Sequence, residues 1–292
     1  MKKKKVEWLD IVVHLILLGI MVCILYPMLH VVAVSFSDKY SVMANKITIF
    51  PKGFSLDSYR YVLEDGRVLK AFGYTVCYTA LGVVVNVVMT ILMAYPLSKE
   101  YLVGRAALIR LVMFTMFFSG GMIPTFLLVK ELQLLDTVWS LVLPNAIVTM
   151  HLIIMINFYR SIPQSLYEAA CLDGASEFLV LRKVVIPLSK ASIASIALFC
   201  FMIYWNDYYR PMLYLFDSDK FPLQMVLREM LLEATETTNP SASAQIMVAN
   251  KAITPTGVKN ATMVISMVPV LCIYPFAQKY FVKGVMIGSV KG

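Results

Sequence analysis

The stretch IVVHLILLGIMVCILYPMLHVVAVSF, residues 11–36, contains no Lys, Arg, Asp or Glu. An α-helix needs about 20 predominantly apolar residues to cross a bilayer, and this run is longer than that. The lysines Lys2–Lys5 precede it, as in a secretory signal, but the apolar core of a signal is only about 7–15 residues long. We therefore interpret the stretch as a retained membrane-spanning helix.

Five further apolar runs follow, so the expected fold class is an all-α, polytopic membrane protein with six transmembrane helices. The composition agrees: 59% of the 292 residues are hydrophobic and 15% are charged, against roughly 45–50% and about 25% in soluble domains. We expect one transmembrane domain over residues 1–292. The predicted spans are about 11–36, 71–97, 108–129, 137–158, 191–216 and 261–282.

The basic residues predict the orientation, because Lys and Arg are retained on the cytoplasmic side of a membrane. With the N-terminus inside, the inner segments carry the whole net charge of +8 and the outer segments sum to zero. Both termini and the segment 159–190 are then cytoplasmic, in a bacterial plasma (inner) membrane. The basic excess is thus a topology signal, and we expect a lipid bilayer and no nucleic acid as partner.

The longer of the predicted outer segments, 217–260, opens with FPLQMVLREMLLE, in which apolar residues recur at helical spacing from Leu223. We expect an amphipathic helix there, either as a docking surface for an external protein or as a cover over the spans. The residues 235–244 that follow are typical of a flexible loop.

Residues with catalytic chemistry are scarce. His14, His30 and His151 are isolated within spans and are interpreted as packed polar residues, and the sequence has neither a phosphate-binding loop nor CxxC spacing for a metal. Asp207 is the one carboxylate well inside a predicted span, with Arg210 one turn away. A proton- or sodium-coupled transporter usually needs embedded ionisable groups. We therefore expect no catalysis and no metal in this chain, and an energy source elsewhere.

The predicted cytoplasmic segment contains EAACLDGASEFLVLRKVVIP, residues 168–187. Ser161 and Gln164 have the spacing of a capping box and predict the start of a helix. Gly174 ends that helix, because glycine accepts the left-handed conformation that a helix end favours. A second helix follows and Pro187 begins the next span. Such a helix–turn–helix suits insertion into a groove on another protein.

Glu168-Ala169-Ala170, Gly174 and Pro187 stand in the register of a known signature. The segment resembles the loop of the membrane subunits of binding-protein-dependent ABC importers, with Val and Ile as mild departures before the proline. Over its whole length the chain is similar to the smaller permease subunit of maltose-type carbohydrate importers. FFSGGMIP (117–124) and QKYFVKG (278–284) resemble the subgroup that imports complex oligosaccharides.

The resemblance implies a type I ABC importer permease fold in which the segment couples the spans to a cytoplasmic ATPase dimer. A second homologous permease would complete the translocation path, and an extracytoplasmic solute-binding protein would deliver an oligosaccharide. ATP and Mg would be bound by the ATPase, with no cofactor on this chain. Glu168 would pair with a basic residue of the ATPase. The implied coupling residues are Glu168, Ala169, Ala170, Asp173, Gly174, Ala175 and Pro187.

A cluster of aromatic and polar residues in the fifth predicted span offers the flat faces and hydrogen-bonding groups that bind sugars. Trp and Tyr also concentrate at membrane interfaces without any ligand, so both interpretations stay open. The candidate path residues are Tyr204, Trp205, Asn206, Asp207 and Tyr208. The alternatives are the same importer with a polyamine or glycerol phosphate as cargo, or an ion-gradient-driven transporter.

Overall fold

A computed structural model describes residues 8–64, 66–235 and 253–289, with side chains for 8–64, 66–232 and 253–275. The lysines Lys2–Lys5, most of the predicted loop 235–244 and the side chains of 278–284 lie outside the described residues. The described helices are α1 (Trp8–Ser35), α2 (Lys39–Met43), α3 (Asp57–Glu64), α4 (Arg67–Ser98), α5 (Arg105–Phe117), α6 (Met122–Glu131), α7 (Val138–Val142), α8 (Thr149–Arg160), α9 (Gln164–Leu172), α10 (Glu177–Val180), α11 (Ile186–Leu188), α12 (Lys190–Trp205), α13 (Tyr209–Tyr214), α14 (Leu223–Thr235) and α15 (Pro255–Ser289).

Three stretches of helix in the described part of the chain are long and apolar enough to cross a membrane: α1, α4 and the Pro255–Pro275 part of α15. Three bent pairs of helices pass the same test together: α5 with α6, Val138–Asn145 with α8, and Glu177–Leu188 with α12. Counting each pair as one span gives up to six, in agreement with the six predicted spans.

The third predicted span, 108–129, is not a straight helix, because α5 and α6 meet at an angle of 112°. The break falls at Ser119-Gly120-Gly121, where Gly121 has a φ of +90°. The Ser119 hydroxyl accepts a hydrogen bond from the Gly121 amide at 3.2 Å. Glycine adopts such a backbone without the Cβ clash of other residues, so these small residues make the sharp bend possible.

The fifth predicted span, 191–216, is also interrupted, since α12 ends at Trp205 and α13 begins at Tyr209. The Asp207 carboxylate accepts hydrogen bonds from the backbone amides of Tyr209 and Arg210, at 3.1 and 3.2 Å. A side chain that bonds to nearby backbone competes with a continuous helix. The apolar run alone therefore overestimated the length of this helix.

The chain divides into two compact units, of which the first comprises residues 1–69 and 226–268. Helix α1 is exposed along its apolar window until it reaches the buried Ala33 and Val34, which pack with Val42 and Ile47. A surface that is apolar on all sides fits a helix surrounded by lipid or by other spans. The unit also contains an ion pair between Arg67 and Glu229.

The second unit comprises residues 70–225 and 269–292. Its core is formed by α4, α8, the segment 180–185 and α12, and the innermost side chains are fully buried. These include Leu152, Met155, Val185 and Ile196. The long loop 159–190 is attached to this core, so the packing of three spans determines where the loop lies.

The amphipathic helix predicted from Leu223 is present as α14. Leu223, Val226 and Leu227 are buried and Leu232 is exposed. The Leu223 amide donates a hydrogen bond to the Thr75 hydroxyl at 2.7 Å, which anchors the first turn of α14 to α4. Burial of its apolar face within the chain favours the covering role over a docking surface.

Candidate functional site

The 159–190 loop is a helix–turn–helix whose turn is closed at Gly174. Gly174 has a φ of +76°, and the Ala175 amide donates to the Ala170 carbonyl at 3.0 Å across the end of α9. The amide of Gly174 itself donates to the Cys171 carbonyl at 3.0 Å. Orphan carbonyls at the end of a helix are satisfied in this way by a left-handed glycine. The predicted end of the helix at Gly174 is confirmed.

The start of the first loop helix differs from the prediction. Helix α9 begins at Gln164 with Pro163 in the N-cap position, and no side chain caps it. The Ser161 hydroxyl instead donates to the Phe158 carbonyl of α8 at 2.7 Å. The predicted capping box is therefore wrong, because Ser161 belongs to the C-terminal end of the preceding helix.

The tip of the loop presents both carboxylates and apolar side chains. Glu168, Ala169 and Asp173 are exposed, and Ala170 and Ala175 are half-buried. Leu172 is 89% exposed and Phe178 is 67% exposed. Exposed apolar side chains that are rimmed by polar groups are typical of a surface that binds another protein.

The opposite side of the loop is packed into the second unit. Tyr167 is buried, and its hydroxyl donates to the Tyr159 carbonyl at 3.3 Å. Val180, Leu181 and Val185 are buried on the second arm of the loop. The loop is therefore held by one face while the other stays open.

Tyr95 of α4 and Tyr101 of the turn after it hold the second arm through Glu177. The Tyr95 hydroxyl donates to one oxygen of the Glu177 carboxylate at 2.5 Å, and the Tyr101 hydroxyl donates to the other at 2.6 Å. Hydrogen bonds first from Tyr101 and then from Tyr95 hold the pKa of Glu177 below its usual value, because they favour the charged form. The hydrogen bond to Glu177 in turn raises the pKa of Tyr101 to about 12.

Lys99 contacts the first arm. Its ammonium group lies 3.4 Å from the centroid of the Tyr167 ring and 4.7 Å from that of the Tyr95 ring. A cation that faces an aromatic ring is attracted by the negative face of the π-system. Burial against these rings lowers the pKa of Lys99 from its usual value. Residues 95–101 thus contact both arms of the loop.

Pro187 lies where the loop turns into the next span. The backbone widens to a π-helix over Leu181–Val185 and then forms α11, which contains Pro187. The pair Glu177–Leu188 and α12 meets at 80°. A proline has no amide hydrogen to continue the helical ladder, and π-turns and prolines are common causes of helix kinks.

The five candidate path residues are placed in two environments. Tyr204 and Trp205 are buried at 7% and 2% exposure, whereas Asn206 and Tyr208 are exposed. Asp207 forms an ion pair with Arg210, with 2.5 Å between Oδ2 and Nε. Their role in contacting a sugar stays a prediction.

Arg210 is central to this region, and the sequence showed only its spacing from Asp207. The guanidinium carbon lies 4.8 Å from the Tyr204 ring centroid, and Nη1 donates to the Leu141 carbonyl at 3.0 Å. The Tyr204 ring also lies directly against Gly82 of α4. The arginine thus links α13, α12 and the end of α7.

A second buried polar group joins three spans. The Asn86 side chain donates to the Asn145 carbonyl at 2.8 Å and accepts from the Cys200 thiol at 2.9 Å. His151 lies 3.5 Å from Asn86, and its ring stacks on Phe199. This contact supports the interpretation of His151 as a packed polar residue.

Sequence and structure comparisons place these features in a known family. Residues 101–287 match the family described as the binding-protein-dependent transport system inner membrane component. The chain belongs to this family. As a permease of this family it is a non-catalytic, all-α, multi-pass subunit of an ABC importer in the inner membrane.

Individual proteins are similar over nearly the whole chain. The protein LplC of Bacillus subtilis is 43% identical over 97% of this permease and 95% of its own length. The polygalacturonan/rhamnogalacturonan transport system permease protein YtcP of the same organism is 43% identical, with 95% and 96% covered.

A solved structure shares the fold. The crystal structure of a bacterial ABC transporter involved in the import of the acidic polysaccharide alginate contains a chain with 32% identity and a TM-score of 0.89. The match covers 96% of this permease and 99% of that chain.

Proposed function

We propose that this permease forms half of the translocation path of an importer for acidic oligosaccharides, and that its 159–190 loop couples the path to a cytoplasmic ATPase. A second permease completes the path, and an extracytoplasmic binding protein delivers the sugar. ATP and Mg are bound by the ATPase dimer. In this orientation both termini and the loop are cytoplasmic, in line with the distribution of basic residues.

The observation that carries the coupling role is the loop geometry. Its tip exposes Glu168, Leu172 and Phe178, while Tyr167 and Val180 fix it to the spans. A rigid element with one open face can pass a displacement from a bound partner to the helices on which it is mounted. Glu168 lies on the open face, where a basic residue of the ATPase can pair with it.

The choice of cargo rests on the similar proteins. YtcP is named for polygalacturonan and rhamnogalacturonan, and the structural relative is involved in importing alginate, an acidic polysaccharide. A more distant relative, AraQ of Halalkalibacterium halodurans, is named for arabinooligosaccharides, and it is 27% identical. Neutral oligosaccharides are therefore the second candidate.

Uptake by the complete transporter in its native membrane tests the proposed cargo. Labelled oligogalacturonate should accumulate, and excess unlabelled oligogalacturonate should suppress this uptake, while arabino-oligosaccharide, spermidine and glycerol phosphate should not. Accumulation of labelled arabino-oligosaccharide but not of labelled oligogalacturonate would move the cargo to the second candidate. Accumulation of labelled spermidine or glycerol phosphate, with neither sugar taken up, would remove the sugar assignment.

Glu168→Lys tests the coupling role. The variant should reach the membrane in normal amounts and lose uptake, because a reversed charge repels the basic partner. Glu131→Lys is the matched control, since it makes the same charge reversal at an exposed acid at the end of α6. Normal uptake by Glu168→Lys would contradict the assignment.

A further inference from the structure

The end of α4 and the turn after it meet the 159–190 loop through polar side chains at the edge of a shared apolar core, in which Leu97 packs with Tyr167 and Val180. A cavity of about 390 Å³ lies at this place. Tyr95, Lys99, Tyr101 and Glu177 contribute to its wall, together with apolar residues such as Phe178. Close-packed side chains transmit a displacement directly, whereas a cavity leaves its lining without partner atoms on one side. At this edge, polar contacts therefore add to the apolar core in joining the loop to α4.

These contacts engage both arms of the loop at once. Lys99 lies over the ring of Tyr167 on α9, and Tyr95 and Tyr101 each donate to a different oxygen of Glu177, the first residue of α10. Charge-assisted hydrogen bonds are shorter and stronger than neutral ones. With both carboxylate oxygens held, a shift of Glu177 pulls on α4 through Tyr95 and on the turn after α4 through Tyr101.

We propose that Tyr95, Tyr101 and Glu177 form a latch that carries the movement of the 159–190 loop to α4, with Glu177 as the positioning residue. This inference rests on the proposed coupling role of the loop. Glu168 and Gly174 belong to the open tip and the turn, and the latch belongs to the attachment of the loop. Loss of the latch therefore leaves the ATPase bound and the apolar core in place, but reduces how closely α4 follows the movement of the loop.

The prediction concerns the ratio of sugar transported to ATP hydrolysed. The complete transporter, with both permeases, the ATPase dimer and the binding protein, is reconstituted in proteoliposomes, and both rates are measured in the same vesicles. In Glu177→Ala, and in the double variant Tyr95→Phe/Tyr101→Phe, sugar per ATP should fall about fivefold or more, the lower end of typical coupling effects. Combining the changes should add little, because they remove the same contact.

Two further variants separate a coupling role from a structural one. Glu177→Gln keeps an oxygen that accepts one tyrosine hydroxyl, so it should restore most of the ratio lost in Glu177→Ala. Tyr40→Phe removes a hydroxyl from a side chain that is 83% exposed, so it should leave the ratio unchanged. If Glu177→Ala lowers both rates equally and only in proportion to the amount of assembled complex, the latch is a folding contact and the proposal fails.

Glu168→Lys in the same vesicles distinguishes failure of the latch from failure of the coupling role of the loop. Loss of sugar-dependent ATP hydrolysis in Glu168→Lys, with an unchanged ratio in Glu177→Ala, would overturn the latch and keep the coupling role of the loop. Normal transport in Glu168→Lys would overturn the coupling role itself. A lowered ratio in Glu177→Ala beside an inactive Glu168→Lys supports both.

Discussion

Gly82 of α4 offers a sharp test of the packing between α4 and α12. A Cβ atom at this position would lie 2.6 Å from three atoms of the Tyr204 ring. Ordinary van der Waals contact begins near 3.4 Å, so Gly82→Ala requires either the ring or α4 to move. Tyr204 is buried, and Arg210 lies 4.8 Å from its ring centroid. The ring therefore has little freedom to yield.

The expected cost of Gly82→Ala follows from this overlap. Forcing an extra carbon into a packed core typically costs about 1–3 kcal/mol. A loss of 1 kcal/mol lowers the Tm of a protein of about 150–250 residues by roughly 2–4 °C. The midpoint of thermal unfolding of the purified transporter in detergent, followed on a label in this chain, should fall by a few degrees or more.

Gly73 on the same helix is the matched control. It is exposed, and a Cβ atom there would meet nothing within 4 Å. Because alanine is favoured over glycine in a helix by about 0.8–1.0 kcal/mol, Gly73→Ala should raise the midpoint or leave it unchanged. Adding Tyr204→Leu should recover part of the loss in Gly82→Ala. Equal shifts for Gly82→Ala and Gly73→Ala would refute the described contact.

Three other predictions address the loop and the ion pair between Asp207 and Arg210. Gly174 has a φ of +76°, so Gly174→Asn should retain most uptake, and Gly174→Ala should reduce uptake through a backbone strain of about 1–2 kcal/mol. Gly174→Pro should abolish uptake, because the φ of proline is fixed near −65°. Equal uptake by all three variants would contradict the turn. Arg210→Met should destabilise the protein by about 1–3 kcal/mol, because the Asp207 carboxylate loses its ion-pair partner and keeps only its backbone hydrogen bonds. Asp207→Asn in the same chain should recover part of this loss in the thermal assay. The pKa of Glu177 lies below its usual value of 4.5, so its latch contacts stabilise the fold above that pH and are lost as the pH falls through the lowered pKa. From pH 8 to about pH 5 the Glu177 carboxylate stays ionised. The amount of sugar transported per ATP in the wild type, divided by that in Glu177→Gln, should therefore be constant over this range. A decline of this quotient toward pH 5 would contradict the lowered pKa.

The sequence predicted the membrane class and a number of spans that the helices can accommodate, because both depend on composition over about 20 residues. It was less successful with the ends and breaks of helices. Asp207 interrupts the fifth span and Ser161 caps the preceding helix, and both outcomes depend on which backbone group each side chain contacts. Local patterns do not specify that choice.

The turn at Gly174 is the part of the candidate site that the sequence determined by itself. A glycine after a helical run predicts a left-handed end from backbone sterics alone, and the structure has it. The membrane class and the direction of the charge asymmetry follow in the same way from composition.

Only the tertiary structure decided which residues meet across the bundle. Glu177 is 82 residues from Tyr95 and 76 from Tyr101, and the burial of Tyr204 against Gly82 joins two separate spans. In a soluble helix an apolar stripe marks the face that packs. A membrane span is apolar on every side, so its sequence carries little information on which face meets a neighbour, and the close fit of small and large side chains settles it.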